Sequence, residues 1–165
     1  MTSRKDETIT SGGAPLAPPA RRTAGGLPAI RRGAFAMAVL LLVQYVIGMG
    51  VNLFVTLPRQ DQNAGLGRII ANGPAAVTIH VLLGLALIVI ALAVIGLAAA
   101  VRRGGLLALS IAGLLALGSA AFNGLSFART GQTSASYSMA LAWAVAVLCY
   151  LTMLFRTGVR RPGQH

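Results

Sequence analysis

Apolar and polar positions are segregated into long blocks along this chain. Four runs, at 34–57, 75–101, 106–125 and 137–155, contain no Asp, Glu, Lys or Arg, and polar, Gly- and Pro-rich stretches separate or flank them. A helix crossing roughly 30 Å of hydrocarbon needs about 20 predominantly apolar residues, so each run is long enough for one crossing. The pattern predicts an all-α protein, a four-helix transmembrane bundle with residues 34–155 as its membrane domain. No run contains proline, so proline kinks and proline-broken helices are not expected. The Asn72-Gly73-Pro74 stretch reads as a turn with proline opening the second helix, and Arg102-Arg103-Gly104-Gly105 as a tight hairpin.

The flanking segments are basic. Residues 1–33 are rich in Gly, Pro, Ala, Ser, Thr and Arg without helical periodicity and read as a disordered tail; residues 156–165 form a second short basic tail. With four crossings, the two tails and the Arg102-Arg103 link share one side and hold eleven of the 14 basic residues. Arg59, Arg68 and Arg129 lie opposite. Positive charge is retained inside during insertion, so both termini are expected in the cytoplasm and the 58–74 and 126–136 loops outside, in a multi-pass plasma-membrane protein. Membrane lipid is then the expected partner of the basic residues, and nucleic acid is not. The first run is too long for a signal-peptide core and has no convincing cleavage site, so it reads as retained. An arginine-, alanine- and glycine-rich composition suggests a GC-rich bacterial source.

Catalytic chemistry has little to draw on. Asp6, Glu7 and Asp61 are the only acids and Cys149 the only cysteine, which excludes an intramolecular disulfide and a cysteine-based metal cluster. No phosphate loop or nucleic-acid module is present, and a lone intramembrane histidine is a poor basis for a proton pump. The third helix repeats small residues at Ala108, Ala112, Ala116, Ala120 and Gly124, with Ser138, Ala142 and Ala146 as a shorter counterpart on the fourth. These stripes predict close helix packing inside the bundle, or alternatively a homodimer or larger membrane complex.

Polar residues gather toward one end. Gln44, Gly48, Asn52 and Thr56 fall on one face of the first helix, and Ser119, Asn123 and Ser126 on one face of the third. His80 is the only ordinarily acidic or basic side chain inside a span, which makes it the leading site residue. It is expected either to be satisfied as a neutral imidazole by Asn123, Asn52 or Ser126, or to contact a ligand. The primary expectation is a non-enzymatic accessory subunit or a binder of a small lipophilic ligand. Its outward-facing pocket, near His80, would use His80, Asn52, Asn123 and Ser126 as polar contacts, with Gln44 a further candidate contact and Phe122, Phe127 and Met139 as walls.

The alternative is a b-type haem protein in electron transfer. Imidazole is a common axial ligand, Met139 could serve opposite His80, and Gly84 could make room for the macrocycle. His80-Val81-Leu82-Leu83-Gly84 resembles the His-x-x-x-Gly of a half-repeat in the haem A synthase family. That resemblance implies a four-helix haem-binding unit whose second-helix histidine is opposed by one on the fourth helix; the fourth run here has none. The overall layout resembles the small uncharacterised four-span proteins of high-GC Gram-positive bacteria, a likeness that implies no activity. Small-solute transport is a further alternative, with the first helix's polar stripe lining the route.

Overall fold

The computed structural model describes residues 26–55, 67, 71 and 73–158. Among them the fold is all-α: α1 (Gly26–Phe54), α2 (Ala75–Val101), α3 (Gly104–Thr130) and α4 (Thr133–Gly158). All four are long and apolar enough to cross a membrane, and the chain is a multi-pass integral membrane protein. In lipid no water is available to satisfy backbone N–H and C=O groups, so sequences this apolar close their hydrogen bonds within each helix. Residues 1–25, most of 56–72 and residues 159–165 lie outside the described residues, as do Thr56 and most of the two tails and first loop predicted above.

α2 coincides with its apolar block, α3 and α4 extend past theirs at both ends, and α1 begins earlier and ends at Phe54. α1 starts at Gly26 instead of 34, so residues 26–33 of the expected tail are helical, and it takes in Arg31 and Arg32. α3 continues to Thr130 and carries Arg129 in its last turn. Charged side chains with long stems sit at headgroup depth without ending a helix, so an apolar run marks the hydrocarbon and not the helix. Pro74 caps α2, its carbonyl accepting the N–H groups of Val77 and Thr78 at 2.9 and 3.2 Å. Gly131 adopts the left-handed conformation, φ 68°, that lets its N–H reach the Phe127 carbonyl at 2.8 Å and end α3. At the opposite end of the bundle Arg102 does the same job with φ 55°, at the steric cost of a Cβ.

Consecutive helices run antiparallel. α1 packs on α2 and α4, and α3 packs on α2 and α4, with α3–α4 the most extensive seam. The core is concentrated in one half of the bundle. Ile30, Ala34, Met37 and Leu41 of α1 meet Leu87, Ala91, Val94 and Ala98 of α2, Leu106, Ala116 and Leu117 of α3, and Ala146, Tyr150 and Met153 of α4. The half carrying the α2–α3 link is therefore closed by apolar packing. Beyond Leu41, Leu87, Leu117 and Ala146, toward the α3–α4 turn, buried side chains become sparse. We call these the closed and open ends.

Two glycine contacts fix the α1–α2 register. A Cβ on Gly48 would lie 2.8 Å from His80 Cε1, and one on Gly84 would lie 3.3 Å from Gln44 Nε2. Carried along the helices, that register sets Leu41 level with Leu87, Met37 with Ala91, Ala34 with Val94 and Ile30 with Ala98, all buried. On α3–α4, a Cβ on Gly113 would lie 3.0 Å from the Tyr150 ring and one on Gly124 3.0 Å from Met139 Sδ, which sets Leu117 level with Ala146. Large residues mostly oppose small ones, as dense packing between helices in lipid requires.

The small-residue stripe of α3 follows this seam only in part. Ala116 is buried and Ala120 and Gly124 half-buried, whereas Ala108 and Ala112 are exposed. Four residues advance a helix by about 40° beyond a full turn, so a strict four-residue repeat winds off one face within a few steps.

Candidate functional site

At the start of the open half, α1 offers Gln44-x-x-x-Gly48 and α2 offers His80-x-x-x-Gly84, running in opposite directions. Each glycine receives the other helix's polar side chain. The Gln44 amide donates to the His80 carbonyl at 3.0 Å, and its Nε2 lies 3.3 Å from His80 Nε2. With the amide as donor, His80 Nε2 is the acceptor and the ring proton sits on Nδ1. His80 Nδ1 and Gln44 Oε1 are buried without partners. The expected partners of the imidazole are thus replaced by Gln44. The Asn123 amide donates to the Ser119 carbonyl of its own helix at 2.8 Å, and Asn52 is exposed.

The other helices meet α1 and one another at neighbouring depths. Trp143 Nε1 donates to the Leu41 carbonyl at 3.0 Å, and its ring stacks on Tyr45 with centroids 4.6 Å apart. His80 lies against α1 and the Met139 sulfur against α3, so the two candidate haem ligands belong to different seams, and Gly84 is opposed by Gln44. Among the described residues no cluster of three or more His, Cys, Asp or Glu could hold a metal ion.

Two grooves open on the surface of α3. The larger, about 540 Å³, runs along the α3–α4 seam and is lined by Ala112, Leu115, Ala116, Ser119, Ser138, Leu141, Ala142 and Val145. The smaller, about 300 Å³, lies at the open end and is lined by Phe122, Leu125, Ser126, Arg129 and Thr130. It brings together Phe122 and Ser126 of the expected ligand contacts, while His80, Phe127, Met139, Asn52, Asn123 and Gln44 do not line it, so the groove lies on the face of α3 and not around His80. Arg129 is the member that sequence reading passed over. It falls beyond the apolar run and counts there as a loop charge; its i+3 and i+7 spacing from Ser126 and Phe122 was the available signal. Arg129 Nε is buried without a hydrogen-bond partner. The Thr130 hydroxyl is engaged, donating to the Ser126 carbonyl at 2.9 Å and accepting the Gln132 N–H at 3.3 Å.

The chain matches no protein-family model, no curated protein and no solved structure.

Proposed function

We propose that the protein is a non-enzymatic membrane protein that holds a small lipophilic ligand at the open end of its bundle, in the groove lined by Phe122, Leu125, Ser126, Arg129 and Thr130. The observation that carries this reading is the groove itself, which combines apolar walls with a hydroxyl and a guanidinium at the mouth. Its volume of about 300 Å³ is at the small end of the range for ligand sites, roughly 300–1,000 Å³. The Gln44–His80 pair ties α1 to α2 in the same half of the bundle. The eleven-to-three distribution of basic residues supports an orientation with both termini cytoplasmic and the groove on the opposite side of the membrane.

Photolabelling tests the reading. The full chain in phosphatidylcholine nanodiscs is exposed to diazirine-bearing single-chain amphiphiles with acid, phosphate or alcohol heads, and the labelled peptides are mapped. Label concentrated on 122–130 and competed by the unmodified amphiphile is expected. Label spread evenly over lipid-facing residues such as Leu115 and Leu148, and not competed, would sink the reading.

A further inference from the structure

The groove's chemistry is polarised along its length. Arg129 and Thr130 stand at its mouth in the last turn of α3, and Phe122, 74% exposed, lies two turns deeper. Seven residues separate Arg129 from Phe122, about 10 Å along a helix. That span takes a molecule from headgroup depth into the acyl region. The head of the groove is cationic: half-buried Arg129 lines it, and its Nε has no hydrogen-bond partner among the described residues. Asp6, Glu7 and Asp61 all lie outside the described residues, so no carboxylate among the described residues faces the guanidinium. A guanidinium that lines an otherwise largely apolar groove is best matched by a planar carboxylate or a phosphate, which its fork of N–H donors can hold. The Ser126 hydroxyl, one turn along the same face, can donate to the same oxygen atoms.

We infer that the occupant of this groove is a single-chain anionic amphiphile, its carboxylate or phosphate held by Arg129 and Ser126 and its chain lying along Leu125 and Phe122. This rests on the ligand-binding reading above and adds the class of ligand. Arg129 selects the head, and the apolar wall contributes affinity without selecting it.

Competition of the photolabel by the fatty acid, the monoalkyl phosphate and the corresponding alcohol separates the two readings. The wild type should take the anionic amphiphiles about tenfold more tightly than the alcohol, as expected for one charge-assisted hydrogen bond. The acid and phosphate arms show which head fits better. Arg129→Gln should abolish the preference while leaving alcohol binding, Arg129→Lys should retain part of it, and Phe122→Ala should weaken all three equally. Equal binding of acid, phosphate and alcohol by the wild type overturns the inference but leaves the lipophilic site standing. No saturable binding of any of them overturns both. A preference that emerges only in Asp61→Asn would mean that the chain's own carboxylate occupies the guanidinium, and overturns the inference.

Discussion

The residue that most constrains this bundle is a glycine. The His80 ring occupies the space a Gly48 side chain would need, with 2.8 Å between the position of a Cβ and His80 Cε1. A methyl group there must displace either the ring or the α1 backbone, and overpacking of this kind costs about 1–3 kcal/mol. Gly50, two positions along the same helix, would meet nothing within 4 Å. Gly48→Ala is therefore expected to lower the unfolding midpoint in mixed micelles, while Gly50→Ala leaves it unchanged or raises it slightly. His80→Ala in the Gly48→Ala background should recover part of the loss, because the two side chains compete for one volume, with a coupling of at least about 0.5 kcal/mol. Equal effects of the two alanine substitutions would show that the imidazole does not pack on Gly48. His80 attracts attention in the sequence as an isolated ionisable group, yet its surroundings are those of a packing residue, bracketed by an amide and a glycine.

At the scale of the helix pair, depth and register matter more than the small residues counted along one strand of sequence. The α3 repeat from Ala108 to Gly124 reads as one ridge, but only its later members, from Ala116 on, are buried or half-buried. Leucine at 124 would drive into Met139 Sδ, 3.0 Å from where its Cβ would begin, whereas leucine at 108 would project from an exposed position. Gly124→Leu should accordingly reduce the fraction of folded protein recovered from detergent and Ala108→Leu should not. Met139→Ala should partly rescue the former by restoring volume. Comparable loss from both substitutions would instead restore the ridge as a single packing surface. The four helices were legible because apolar length alone reports a membrane crossing. The mirrored Gln-x-x-x-Gly and His-x-x-x-Gly were also present in the sequence, but pairing them requires the antiparallel register, which no single helix contains. Arg129 stayed hidden for a different reason: helices extend past the hydrocarbon, and a span drawn to the last apolar residue leaves out the turn that forms the mouth of the groove.

Across the whole molecule, charge and packing are polarised in the same sense. The closed end carries Arg31, Arg32, Arg102, Arg103 and Arg156, and Arg129 is the only arginine near the open end among the described residues. Each arginine resists translocation, and those at the closed end flank all four helices, so insertion with that end in the cytoplasm is the outcome the charges favour. Alkaline phosphatase fused after Gln132 should therefore be active, and fused after Gly158 it should be silent. The orientation also bears on the ligand. With the closed end inside, the groove at Phe122–Thr130 opens at the outer leaflet, where an occupant arrives from outside the cell or from the outer lipid layer. The opposite reporter pattern would place Arg129 at the cytoplasmic surface, among the anionic lipids concentrated there, and a single-chain anionic occupant would then have to reach the groove from the cytoplasmic side.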